Sequence, residues 1–354
     1  MTYPTDKDNG DYSLELADLQ TDRQEVLDFW VDQFPRWKTT KYKYFYLDNP
    51  DGPAMLWLVR ETTDKRIVGT LALLRRELLI DRQPHPAAVS ADIVVHREHR
   101  RRGLSIVLFG ALRDYLNTSD LVVIFGTPNP KSKGGAEQAG YKTCGLEKRY
   151  VRLLRSRPVI QSRLKVPLLA SLLAIPVDLW IRRGLPSRSV GEIETTVGEA
   201  LDERIDKVMA SAAEQFRIVG NRSSAWVNWR ASECPYRHLH IFTAERSDDR
   251  SLIGYIMFEI KDNVAYIFDC LAGDIDDLHR LLREFVVYAD QQQCRSIEMI
   301  HVGNSQTEAV LDRLGFAFRS EGRPFVLLLP GDSAYREIML NPENWFFTVA
   351  DNDA

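Results

Sequence analysis

Residues 96–105, HREHRRRGLS, set four arginines and two histidines in ten positions and close on Gly103-Leu104-Ser105. The chain as a whole carries a formal net charge of -4, with 50 Asp plus Glu against 46 Lys plus Arg. The positive charge is therefore local. Such a cluster suits either a surface for nucleic acid or membrane, or a loop that holds one small polyanion. Nucleic-acid binders are usually basic over a whole domain and interleave aromatics with their cations. Neither holds here, so no nucleic-acid partner is expected.

The anion reading depends on the elements around the loop. Ala87–Val95 is β-rich and leads into the arginines, and Leu104–Leu116 places Val107, Leu108, Ala111, Leu112 and Tyr115 at helical spacing. At a strand-to-helix junction the first helical amides lack intrahelical partners and the helix dipole adds partial positive charge. Gly103 and the small Ser105 leave room for a diphosphate to reach those amides. Leu56–Arg60 and Arg66–Leu74 read as strands joined by a TTDK turn, and Leu121–Phe125 as a short buried parallel strand. A solvated basic turn is the competing reading of the same residues.

A second copy of this grammar follows. RIVGTLALL (66–74) is echoed by SLIGYIMFEI (251–260), and NPKSKGGAEQAGY (129–141) by NSQTEAVLDRLGF (304–316). The second copy is ten residues shorter between its Gly and its aromatic, and an acidic DCLAGDIDDLHRLL stands where the first has arginines. This predicts an α/β (α+β) fold of two tandem repeats, each a mixed twisted sheet flanked by helices. The expected organisation is 1–155 as the domain with the anion loop, 156–195 as a basic-apolar-basic linker, 196–330 as a degenerate second domain and 331–354 as a tail. The linker's apolar run, Val166–Ile181, falls short of the roughly 20 residues needed to span a bilayer. Two readings of it stand open: a helix packed between the halves, or a peripheral membrane contact through residues 163–183.

DIVVHREHRRRGLS resembles the acetyl-CoA motif of the GNAT acyltransferases, a bulged strand followed by Arg-x-x-Gly-x-Gly/Ala, with Arg100, Gly103 and Ser105 in the three defined positions. Asn129 and Ala139-Gly140-Tyr141 resemble the family's later asparagine and Gly-Phe motif. The repeat resembles tandem layouts such as mycothiol synthases and FemAB-like transferases, in which one half keeps the cofactor loop. The resemblance implies acetyl-CoA or another acyl-CoA as co-substrate, with its diphosphate near Arg100, Arg101, Arg102, Gly103, Leu104 and Ser105. Its pantetheine arm would lie along Val94 and Val95, with Asn129 nearby. The family's usual tyrosine acid falls at Ala136 here, and at Leu311 in the repeat. Asp92 is the candidate base, with a purely structural carboxylate as the other reading; Tyr141 reads as packing, and His96 and His99 as solvated flanks of the loop.

The implied reaction is N-acylation of an amine on a small molecule, glycan or peptide, such as an amino sugar or amino-acid group of a cell-surface polysaccharide or envelope precursor. Trp226, Trp229, Arg230, Tyr236 and His238 could wall an acceptor site, against a core-packing reading for the tryptophans. Alternatives are a non-catalytic acyl-CoA-binding module and an aminoacyl transferase of the FemAB type. Cys144, Cys234, Cys270 and Cys294 have no metal-site spacing, so no metal and a reduced compartment are expected. The acidic N-terminus lacks an apolar core, which predicts a cytoplasmic protein, peripheral to the inner membrane face if the linker docks there.

Overall fold

The computed structural model describes residues 10–33, 39–156, 181, 186 and 191–352; the linker residues proposed for membrane contact lie almost wholly outside this set. β1 (Tyr12–Leu16), α1 (Arg23–Gln33) and a turn α2 (Thr40–Tyr42), which runs on into a π-helical turn (Lys43–Leu47), precede β2 (Met55–Glu61), β3 (Ile67–Ile80) and β4 (Gln83–Val95). Then come α3 (Leu104–Thr118), β5 (Val123–Gly126), α4 (Pro130–Gln138) and β6 (Lys142–Leu153). The second half comprises β7 (Ile193–Gly198), α5 (Ile205–Gln215), β8 (Ile218–Gly220), α6 (Ser224–Ala231), β9 (His240–Arg246), β10 (Leu252–Lys261) and β11 (Val264–Ala272). It ends with α7 (Ile275–Gln291), β12 (Ser296–Gly303), α8 (Ser305–Arg313), β13 (Ala317–Leu328), α9 (Arg336–Met339) and β14 (Trp345–Thr348).

The near-continuous apolar run that opens β3 is buried on both faces, as a central strand between helical layers requires. On one face α3 presents Leu104, Leu108, Leu112 and Leu116, spaced four apart, to Val59, Leu71, Leu73 and Ile124. The buried stripe thus runs through Leu104, Leu108, Leu112 and Leu116; of the residues expected there, Val107, Ala111 and Tyr115 are only half-buried. Each leucine buried so contributes roughly 1.5–3 kcal/mol. The mixed sheet flanked by helices is the expected class.

The strands join into one sheet in the order β1-β2-β3-β4-β5-β13-β6-β12-β11-β10-β9-β7. The two halves exchange their closing strands. β13, from the second half, pairs with β5 through Ile124, Phe125 and Gly126, and β6, from the first, pairs with β12 through Lys148–Leu153. Neither half owns a complete sheet.

Residues 331–354 read from the sequence as a tail that either folds back over the aromatic cleft or docks loosely; in the structure the stretch up to 352 enters the core, with Trp345, Phe346 and Phe347 each no more than 2 % exposed. β14 pairs with His301, Val302 and Gly303 of β12, whose opposite edge is taken by β6. β14 therefore lies on the β11 side, in the gap where β11 and β12 stop pairing after Ile267 and Met299. Its other edge pairs with β8, which in turn pairs with Leu78–Ile80 of β3. A buried ion network anchors this insert: Arg222 holds Asp269 at 3.1 Å and also Asp351, and Asp351 reaches Arg76 at 3.0 Å. The four cysteines are free and buried.

Candidate active site

In the first half the corresponding gap is open. β4 and β5 pair in parallel only from Ala87–Val89 to Val123–Phe125 and then diverge. Just past the divergence the β3–β4 register slips between Ala72↔Ala91 and Thr70↔Val94, so Leu71 faces both Asp92 and Ile93. Asp92 sits in this bulge with φ 46°, a left-handed conformation seldom taken by a non-glycine residue. Bulges redirect side chains, and here Asp92 is turned onto the wall of a cavity of about 190 Å³ between the splayed strands. Its Oδ2 accepts from Tyr46 Oη at 2.7 Å, its carbonyl accepts from Thr70 Oγ1 at 3.1 Å, and Thr70 Oγ1 accepts from Trp30 Nε1 at 2.9 Å.

A larger cavity of about 720 Å³ adjoins the first through Ile93, Phe109, Asn129 and Ser132. Of the residues expected at the anion loop, Val94, Val95, Arg100, Arg101, Gly103, Leu104, Ser105 and Asn129 line it. Arg102 does not; its Nη1 donates to Tyr12 Oη at 2.7 Å. Gly103 has φ 81° and caps α3, yet a Cβ there would meet nothing within 4 Å. The backbone conformation, not crowding by neighbours, demands glycine. Ile106 N and Val107 N both bond to Gly103 O, which leaves the amides of Leu104 and Ser105 at the free end of the helix.

Asn129 caps α4, its Oδ1 accepting from Lys131 N at 2.9 Å and Ser132 N at 3.2 Å. Asn304 caps α8 in the same way through Thr307 N. Lys131, Ser132, Gly135 and the 54 % exposed Ile106 also line the larger cavity. Sequence reasoning passed over Lys131 and Ser132, although both stand in the quoted motif.

His99 is buried, contrary to the solvated flank expected from the sequence. Its Nδ1 bonds Tyr12 Oη at 2.9 Å. Burial lowers its pKa, opposed by Glu61 and reinforced by Arg102, Arg66 and His96. The Tyr12–His99–Arg102 cluster braces the loop, and His99 also lines the larger cavity. Tyr141 packs edge-on against Phe109 at 5.9 Å and also lines the smaller cavity. Burial raises its phenol above the ordinary range, with the Ser90 hydroxyl opposing.

The second half reaches this cavity through Arg323 of β13 and through Asn352, which donates to Thr127 Oγ1. Arg230 fastens that C-terminal stretch by donating to Ala350 O at 3.2 Å and Asn352 O at 2.8 Å. Trp226, Trp229 and Arg230 are only 2 %, 5 % and 4 % exposed. Trp229 stacks on Tyr44 at 4.4 Å, and the gap beside these residues, about 20 Å³, admits a single water. They form packing, not an open acceptor wall. Tyr236 and His238 line a separate groove, and Tyr236 also packs edge-on against Tyr44 at 6.1 Å.

Residues 19–145 match the model of the acetyltransferase (GNAT) domain. No curated protein sequence matches the chain. Solved structures similar to it include a probable N-acyltransferase from Enterococcus faecalis, at 10 % identity and TM-score 0.64, covering 90 % of this chain and 72 % of that one. A GCN5-related N-acetyltransferase from Anabaena variabilis aligns at 15 % identity and TM-score 0.63 with the same coverage. Saccharomyces cerevisiae N-myristoyltransferase with bound myristoyl-CoA aligns at 12 % identity and TM-score 0.57, over 93 % of this chain and 80 % of that one. Among the described residues no helix is long and apolar enough to cross a membrane, and no group of His, Cys, Asp or Glu gathers as for a metal ion.

Proposed function

We propose, with a GNAT domain over residues 19–145 as the premise, that this chain is an acyl-CoA-dependent N-acyltransferase acting on an amine acceptor. One observation carries the reading: two cavities that share Ile93, Phe109, Asn129 and Ser132 as a common wall occupy the open β4–β5 gap, one at the free amides of α3 and the other at the Asp92 bulge. The amides of Leu104 and Ser105, with Arg100 and Arg101 at the rim, suit a diphosphate. The edge of β4 at Val94 and Val95, past its pairing with β5, is available to a pantetheine arm as to an added strand. Asp92, oriented by Tyr46, takes the proton released when the amine attacks the thioester carbonyl. The second half supplies Arg323 and Asn352 to the cavity wall and keeps its own gap filled with β14, which supports a tandem arrangement with one working site.

The finer reading is an amino sugar or amino-acid amine of a cell-surface polysaccharide or envelope precursor as acceptor. It includes a cytoplasmic location with peripheral contact through 163–183. It rests on the family's layouts and on the composition of that segment.

Thermal unfolding with added CoA or acetyl-CoA tests the site. A ligand at a hundred times its dissociation constant stabilises the fold by about 2.7 kcal/mol. Arg100→Ala is expected to weaken the shift and Gly103→Val to abolish it. An unchanged melting profile with CoA and with acetyl-CoA sinks the assignment. Release of free thiol from acetyl-CoA across a panel of amino sugars, amino acids and peptides identifies the acceptor class.

A further inference from the structure

Building on the acyltransferase reading, we propose that the cavity beside Asp92 is the pocket for the transferred acyl group. We further propose that it selects an acyl group larger than acetyl, of up to about six carbons, that offers a hydrogen-bond acceptor to Tyr141 Oη. Its volume of about 190 Å³ exceeds the ~150 Å³ that accommodates benzene, far more than a methyl group fills. Leu71, Phe109, Ala136 and Val326 give the body of the chain an apolar wall. Tyr141 is 4 % exposed and its hydroxyl makes no hydrogen bond of good geometry; the neighbouring Ser90 hydroxyl donates instead to Phe125 O at 3.4 Å. A buried donor without an acceptor is unfavourable unless a ligand supplies one.

The internal repeat gives an independent control. Counting from the capping asparagines Asn129 and Asn304, Ala136 corresponds to Leu311 and Tyr141 to Phe316. In the second half, where β14 fills the gap, Leu311 and Phe316 are core residues, 0 % and 1 % exposed. The small side chain and the hydroxyl thus occur together only in the copy whose gap is open. Ala136 makes the room and Tyr141 reads the contents.

The test compares wild type, Ala136→Leu and Tyr141→Phe, each change installing the repeat's own residue. Dissociation constants are measured for CoA and for acetyl-, butyryl-, hexanoyl- and 3-hydroxybutyryl-CoA, together with kcat/KM for thiol release. The wild type is expected to prefer 3-hydroxybutyryl over acetyl about tenfold or more. Ala136→Leu should lower affinity for the longer donors at least tenfold while CoA binding stays unchanged. Tyr141→Phe should remove the advantage of 3-hydroxybutyryl over butyryl, about tenfold for one hydrogen bond, and leave butyryl unaffected. Should Ala136→Leu fail to fold, the Tyr141→Phe comparison decides alone. Acetyl preferred in the wild type overturns the proposal, and so does an Ala136→Leu protein that changes only the KM for the acceptor amine, since the cavity then belongs to the acceptor. Loss of all CoA binding in the wild type is a different failure, that of the acyltransferase reading itself.

Discussion

Asp92 and Tyr46 lie 46 positions apart in the chain, and their 2.7 Å hydrogen bond exists because the bulge turns one toward the helical turn that carries the other. If Asp92 takes the proton of the amine, Asp92→Asn lowers kcat by about 10²–10⁴ while the CoA-induced thermal shift persists. Tyr46→Phe, which leaves the carboxylate but frees its orientation, should fall between. Equal turnover by all three proteins, measured as thiol release, removes Asp92 from the chemistry. His301 offers a separate residue-scale test. It is fully buried, and burial first, then Lys148, lowers its pKa to about 4 against the Phe347 carbonyl contact. The folded form binds fewer protons than the unfolded one, so its contribution is present above pH ~6.5 and lost as pH falls toward 4. The loss is on the order of 3 kcal/mol. Urea denaturation from pH 7 to 4 should show a flatter acid limb in His301→Gln.

At the scale of elements, two glycines of one helix should respond oppositely to alanine. Gly103, with φ 81°, is the cap of α3, and Gly103→Ala should cost about 1–2 kcal/mol for a left-handed alanine. Gly110, inside the same helix with nothing within 4 Å of a Cβ, should gain roughly 0.5–1 kcal/mol as alanine. The capping asparagines form a second pair. Asn129→Ala and Asn304→Ala should each cost ~1 kcal/mol, yet only the former, at the cavity, should alter CoA affinity. Chemical denaturation together with CoA titration separates the two effects. Similar losses of CoA affinity in both variants would detach α4 from the site.

At the scale of the whole molecule, strand exchange decides what holds together. β6 lies between β13 and β12, so a chain cleaved at a protease site inserted within 157–180 should still elute as one particle. Two separate peaks in gel filtration would contradict the sheet order. The ion network under β14 is equally specific. Arg222 is 0 % exposed between Asp269 and Asp351, and Arg222→Met leaves two buried carboxylates, which should destabilise by about 3–5 kcal/mol in thermal or urea unfolding.

Much of the element order was legible because its signals are local. Alternating or continuous apolar runs, Gly103 at a helix start, asparagines ahead of α4 and α8, and the repeat from Gly69 to Gly254 all act within a few residues of themselves. The position of the anion loop belongs to that local information. The exchange of β6 and β13, the insertion of β14 beside β12, the burial of His99, Trp226, Trp229 and Arg230, and the meeting of Tyr46 with Asp92 do not. Each depends on which partners share an edge or a core across tens to hundreds of residues, and an apolar strand or an aromatic side chain states that it will be buried without stating against what. The chain alone therefore set where arginines crowd a glycine-capped helix start; only the tertiary packing decided that one gap stays open, which side chains face it, and how large the cavity there is.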